Sequence, residues 1–384
     1  MLLLFSLTLF VSAALMFAVQ PMFGRMVLPL LGGSPSVWNT VMVFYQLTLL
    51  AGYGYAHVLS RRGHRWWIVH LALLLTALCV LPLRLHPEQT PPAGGDPVAW
   101  LLLTMASSVA LPFLLLSTTG PLLQRWFAHT GHAHARDPYF LYAASNVGSM
   151  LGLLAYPFLL EPRWTLHEQS RGWSAGYVLL LVLIGACALT ARRGLAAHGA
   201  ADGIPGESLP SADDRVSPRR RFHWLMLAFA PSSLMLGVTT HLSMDLVAVP
   251  LLWIVPLAVY LMTFILAFAG RPLIPAILLS RLQVFAVLGV LIVLVSHASE
   301  PLWFVAGLHL FALFTLGLTC HGVLARDRPG VAHLTEFYVW VAAGGALGGA
   351  FNALVAPLVF KSVAEYPLAL VIACLLAPMW PARR

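Results

Sequence analysis

Apolar runs of about 20 residues recur along almost the whole chain. Each is long enough to cross the roughly 30 Å hydrocarbon core of a bilayer as an α-helix. A segment buried in lipid must satisfy its own backbone hydrogen bonds, and a helix does so internally. Of the 384 residues, 59% are hydrophobic and 9% charged, whereas soluble domains carry about 25% charged residues. A soluble globular protein is excluded. The longest hydrophilic stretch, residues 191–223, is shorter than the roughly 40 residues below which a chain seldom folds without staples or metals. No independent soluble catalytic domain fits there.

The spacing predicts helices at residues 2–19, 37–59, 66–83, 98–118, 138–160 and 173–190, then at 224–242, 246–269, 274–296, 301–323, 335–358 and 363–380. The expected architecture is all-α and integral to the membrane, with about twelve transmembrane helices in two six-helix bundles, residues 1–190 and 224–384. The linker between them, residues 191–223, mixes Gly, Pro, Ser, Asp and Arg and is too polar to pack. The first apolar run lacks the positive n-region of a signal peptide and is expected to be a retained helix, although its run Ser12-Ala13-Ala14 keeps cleavage open.

The net charge of +8 does not point to nucleic acid, because the basic residues lie between apolar segments and do not gather on one face. Counting helices places seventeen arginines on one side of the membrane, Arg61, Arg125, Arg192, Arg220, Arg221 and Arg326 among them, against Arg25, Arg84, Arg163, Arg171 and Lys361 on the other. Positive charge is retained in cytoplasmic loops. A multi-pass protein of a bacterial inner membrane, with both termini cytoplasmic, is therefore expected. Cys79, Cys187, Cys320 and Cys374 lie far apart without CxxC spacing and read as packing residues.

The halves echo each other at equivalent helices. Residues 12–19 match 231–238, and residues 140–152 match 337–349. This is the pattern of a parallel repeat about an axis along the membrane normal. Gly148-Ser-Met-Leu-Gly152 and Gly345-Ala-Leu-Gly-Gly349 place small residues four apart, which lets membrane helices approach closely. A surface that slides during transport is the functional alternative.

Polar groups inside a bilayer are costly and face a cavity or a partner. The candidates for a substrate path are Gln20, Arg25, Asn39, Gln46, Asn146, His241, Asp245, His321, Glu336 and Asn352. Anchoring or pairing at the interface is the alternative for Arg25, Asp245 and Glu336, and interhelical hydrogen bonding is the alternative for Gln46 and Asn146. His129, His132 and His134 lack the ligand spacing of a zinc site, and His309 and His321 lie about 18 Å apart along one helix, so neither a metal nor a cofactor is expected. No phosphate-binding loop, GxSxG elbow or HExxH helix occurs.

Gly52-Tyr-Gly-Tyr-Ala-His-Val-Leu-Ser-Arg-Arg-Gly-His-Arg65 resembles the major-facilitator loop between helices two and three, with Arg61, Gly63 and Arg65 at the bracing positions of the gate and Ser60 where an aspartate is usual. The stretches 20–39, 137–149, 239–250 and 334–338 together resemble the membrane portion of bacterial fused major-facilitator and spermidine-synthase-like proteins. The resemblance implies a major-facilitator-like bundle and a tie to a synthase. The soluble aminopropyltransferase-like domain of that family has no counterpart in this sequence, so synthase activity is not carried over. Two readings follow. One is a transporter working by alternating access, with polyamines or other small cations as cargo if Asp245 and Glu336 face a cavity. The other is a non-transporting anchor for a separately encoded synthase-like partner. An intramembrane enzyme is a third reading, and no residue constellation has suitable spacing for it.

Overall fold

The computed structural model describes residues 1–31, 35–61, 66–85, 97–128, 130, 132, 135, 138–198, 216–245, 252–269, 273–360 and 364–376. The described residues form helices and no strands. The first half holds α1 (Leu2–Leu31), α2 (Pro35–Arg61), α3 (Trp66–Thr76), α4 (Pro97–Ser108), α5 (Ala110–Ala128), α6 (Phe140–Ala155) and α7 (Leu166–His198). The second holds α8 (Pro218–Asp245), α9 (Ile254–Phe268), α10 (Ala276–Ser296), α11 (Leu302–Arg326), α12 (Leu334–Ala350), α13 (Ala356–Val359) and α14 (Glu365–Leu376).

Among the described residues, seven helical segments are long and apolar enough to cross a membrane, and α4 with α5 makes an eighth span bent by 68°. Three shorter apolar helices, 68–80, 254–268 and 365–376, together with α2, complete twelve rods. α2 has the length for a span, but it carries Asn39, Thr40, Gln46 and Thr48 along its course. Large apolar side chains such as Leu103, Ile292, Val295 and Leu358 stand on the outside, where lipid would cover them.

Several helices depart from their expected limits for local reasons. α1 runs twelve residues beyond Val19, through Pro21 and Pro29. Membrane helices tolerate such prolines because neighbouring groups satisfy the freed carbonyls. The fourth span breaks at Val109 and resumes to Ala128, ten residues past its expected end. Pro112 offers no N–H to the carbonyl of Ser108 and its ring crowds that carbonyl, which bends the chain. α6 and α12 each run into a π-helical turn, Tyr156–Leu160 and Phe351–Val355, beside Pro157 and Pro357 respectively. α7 extends to His198 and α8 starts at Pro218, so helix enters the expected linker from both sides; residues 199–215 lie outside the described residues.

Glycines set the tightest packing in each half. A Cβ on Gly148 would lie 2.3 Å from the Phe10 carbonyl oxygen, and one on Gly152 would lie 2.4 Å from that of Ala14. In the second half the corresponding approaches are Gly344 to the Leu225 carbonyl at 2.2 Å and Gly348 to that of Phe229 at 2.6 Å. α6 thus presses on α1 as α12 presses on α8. The small-residue stripe of the second half is Gly344 and Gly348, one residue away from the expected Gly345 and Gly349. Gly345 meets open space, whereas Gly349 faces α2, where an added Cβ would lie 1.7 Å from Gln46 Oε1.

Beside two smaller clusters in the first half, around Phe5 and Phe127 and around Ala56 and Leu122, two large apolar cores result. One, with Phe23, Tyr45, Phe113, Tyr156 and Trp173, belongs to the first half. The other is centred on the second half and reaches across to Trp38, Met42, Tyr139 and Leu153. The halves are joined by α2 against α8 and α12, and by α6 against α9.

Candidate functional site

Between the halves lies a cavity of about 150 Å³. Four helices face it with stripes at helical spacing: Met42, Tyr45, Gln46, Leu49 and Tyr53 from α2; Tyr142, Ser145, Asn146 and Ser149 from α6; Leu257, Tyr260, Leu261 and Phe264 from α9; and Tyr338, Val341, Ala342, Gly345 and Ala346 from α12. Met16, Phe17 and Gln20 of α1, Phe113 of α5 and Met235 of α8 complete the lining. No Asp, Glu, Lys, Arg or His stands among these residues.

The stripes keep step across the repeat. Met42, Tyr45, Gln46 and Leu49 are spaced as Leu257, Tyr260, Leu261 and Phe264 are, and Tyr142, Ser145, Asn146 and Ser149 as Tyr338, Val341, Ala342 and Gly345. The same register pairs Gly148 with Gly344 and Gly152 with Gly348, the glycines in closest helix contact. The helix equivalence expected from the sequence therefore holds, with the residue pairing moved by one position in α6 and α12. In α1 and α8 the contacts pair Phe10 with Leu225 and Ala14 with Phe229; that is a helical turn from the expected pairing and sets Gln20 opposite Met235.

The halves touch at both ends of the cavity. At the arginine-rich end, His57 Nδ1 lies 2.8 Å from Thr335 Oγ1, the Ser60 hydroxyl lies 3.3 Å from the same oxygen, and Tyr338 donates to Gln124 Oε1 at 2.9 Å. The Tyr139 hydroxyl donates to the Pro329 carbonyl there at 2.9 Å. At the opposite end the Trp38 and Trp253 rings are 5.3 Å apart, and Asn39 Nδ2 donates to Thr240 Oγ1 at 3.2 Å.

Of the sequence candidates, Gln20, Gln46 and Asn146 line the cavity. Gln46 also crosses the interface: its Nε2 donates to Ser232 Oγ at 3.2 Å, and that hydroxyl spends its own hydrogen on the Gly345 carbonyl at 2.9 Å. Ser232 must therefore accept, which fixes the Gln46 amide with Oε1 turned away from it. Gln46 Oε1, Asn146 Nδ2 and the Tyr45 hydroxyl are buried without a hydrogen-bond partner.

The other candidates lie elsewhere. Arg25 pairs with Glu161 at 2.8 Å. Glu336 is held by Arg221 at 2.7 Å and His333 at 3.0 Å near the arginine-rich end. Each charge found a nearer partner than the cavity, as buried and interfacial charges must. Asn352 donates to Ser233 Oγ and the Gly348 carbonyl. His241 packs against His309 and Tyr366. His321 stands behind the wall, with Nδ1 2.8 Å from Thr263 Oγ1 and its ring stacked on Phe264. Asp245 ends α8, and its side chain lies outside the described residues, as do Gly63 and Arg65; Arg61 is exposed at the end of α2. His129 and His134 likewise lie outside, and among the described residues no three His, Cys, Asp or Glu side chains gather to hold a metal.

The tyrosines and serines of the wall were not singled out from the sequence. Their signal was present: Tyr142, Ser145, Asn146 and Ser149 form a polar stripe at i, i+3, i+4 and i+7.

These features define a major-facilitator fold, two six-helix halves around a shared central cavity. Superposition agrees. The chain matches the xylose transporter XylE from E. coli in a partially occluded inward-open conformation with a TM-score of 0.57 and 14% identity, covering 98% of this chain and 97% of that one. The inward-open conformation of the same transporter matches with a TM-score of 0.54 at 14% identity over 98% and 96% of the two chains. A D-xylose-proton symporter matches with a TM-score of 0.53 at 14% identity over 98% and 95%. At this identity the likeness is one of fold. No family model and no curated protein sequence matches the chain, so the likeness to fused synthase proteins stays with the sequence motifs alone.

Proposed function

We propose that this protein is a secondary transporter that moves a small uncharged solute by rocking its two halves about the central cavity. The observation that carries the reading is a cavity walled by both halves, with no Asp, Glu, Lys, Arg or His in its lining among the described residues. Among the described residues a polyamine would enter this space with no carboxylate to meet it, because Glu336 is committed to Arg221 and His333 and bare ammonium groups are costly to bury. The neutral lining favours an uncharged cargo over the cation. The arginine-rich end faces the cytoplasm of a bacterial inner membrane in this reading, with both termini on that side. A pure anchor for a separate synthase-like enzyme gives no role to a cavity shared by the two halves.

The test is two-sided access. In protein whose four native cysteines are replaced by serine or alanine, Ser145→Cys is expected to react with a membrane-impermeant thiol reagent applied to either face of proteoliposomes. Reaction from one face only, or from neither, contradicts alternating access.

A further inference from the structure

The register of the repeat shows that the cavity has two chemically different walls. Where the first half presents Gln20, Gln46 and Asn146, the second presents Met235, Leu261 and Ala342 at the equivalent positions. Ser145 and Ser149 stand opposite Val341 and Gly345 in the same way. The tyrosines are kept on both sides, as Tyr45 with Tyr260 and Tyr142 with Tyr338. The aromatic frame thus recurs on both walls, whereas amides and serine hydroxyls stand on the first-half wall alone. On that wall, Gln46 Oε1 lacks a donor, and Asn146 Nδ2 and the Tyr45 hydroxyl lack acceptors. Such atoms also occur away from the cavity, as at Tyr156, Trp253 and Asn352, but these three share one wall of it.

A cavity of about 150 Å³ is of the size that holds a single benzene ring. From these observations, and resting on the transport reading above, we propose that the cargo is a neutral, one-ring-sized amphiphile. Its apolar face lies against the wall of α9 and α12, and its single polar head, a carboxamide or hydroxyl with both donor and acceptor, lies against the wall of α2 and α6. A carboxamide supplies N–H to Gln46 Oε1 and C=O to Asn146 Nδ2. A sugar, with a hydroxyl on nearly every carbon, would leave most of its hydroxyls facing Leu257, Leu261 and Val341 unpaired, at a heavy desolvation cost.

Equilibrium binding to the purified full-length protein, with benzamide, toluene, benzylamine, benzoate and xylose as probes, tests this. Benzamide is expected to bind about tenfold or more tightly than each of the others. Asn146→Leu and Gln46→Leu are expected to weaken benzamide by about tenfold while leaving toluene unchanged. Ala342→Asn, which makes the apolar wall polar, is expected to narrow the gap between benzamide and xylose. Equal binding of benzylamine or xylose to the unaltered protein overturns the proposal. So does an unchanged benzamide preference in both leucine variants, provided they elute as monodisperse, helical protein. Benzamide binding without two-sided access at Ser145→Cys overturns transport and leaves this assignment standing; two-sided access without the benzamide preference overturns this assignment alone.

Discussion

Gly348 and Gly345 sit three residues apart on α12 and answer the same substitution differently. A Cβ on Gly348 meets the Phe229 carbonyl at 2.6 Å and the Ser233 amide nitrogen at 2.9 Å, whereas nothing lies within 4 Å of one on Gly345. Gly348→Ala should therefore destabilise the protein by about 1–3 kcal/mol through overpacking, and Gly345→Ala by less than about 0.5 kcal/mol. Thermal unfolding in detergent measures both, and equal melting temperatures would refute the register assigned to this stripe. Asp327 gives a second residue-scale prediction. Its Oδ2 accepts the indole N–H of fully buried Trp224 at 2.7 Å, and Oδ1 accepts from Arg220 Nε at 3.0 Å. Asp327→Ala strands a buried donor and should cost about 1–3 kcal/mol. Arg25→Gln, which breaks a pair with 36% and 24% side-chain exposure, should cost no more than about 1 kcal/mol. At this scale the sequence was a partial guide. Gln20, Gln46 and Asn146 could be picked out because a polar group in an apolar span is conspicuous. Glu336 and Arg25 could not be told from cavity residues, since Arg221 and Glu161 come from distant parts of the chain and only His333, three residues before Glu336, is a local partner.

Helices carry the next level of the account. The interface pairs α2 with α8 and α12, and α6 with α9. At the arginine-rich end, Ser60 of α2 approaches Thr335, the second residue of α12, with 3.3 Å between hydroxyl oxygens. A Ser60→Cys and Thr335→Cys pair should therefore cross-link on mild oxidation in a background free of native cysteines. With the link formed, the reagent should reach Ser145→Cys from the opposite face alone, and reduction should restore access from both. Failure to form the link would mean that the two helices do not meet there. The positions of the apolar helices were readable from hydropathy, although among the described residues only seven segments, or eight with the bent pair, meet the roughly 20-residue requirement of the bilayer. Their ends were not. α1 continues through Pro21 and Pro29, residues that a soluble-helix rule reads as stops, and the 68° bend between α4 and α5 leaves no gap in hydropathy. The repeat was visible as paired helices, while its register slipped, since matches among apolar letters carry no phase. Close glycine contacts supply that phase.

At the scale of the whole molecule, the two halves enclose a neutral cavity and meet at both of its ends, through Ser60, His57 and Thr335 at one and Trp38 and Trp253 at the other. The arginine-rich end also holds Tyr139 against Phe337 and Tyr338 and Arg328 over the Tyr139 ring, contacts separate from the Trp38–Trp253 pair at the other end; each hydrogen bond among them contributes only about 1 kcal/mol net. The central claim is that opening alternates. Distances between spin labels at exposed positions on the two halves test it most directly: Arg61→Cys with Arg326→Cys at the arginine-rich end, and Trp164→Cys with Ala298→Cys at the other. Alternation predicts two distance populations for each pair, with the long population of one pair favoured by the conditions that favour the short population of the other. A single unchanging distance at both ends, whatever solute or pH is applied, would contradict it.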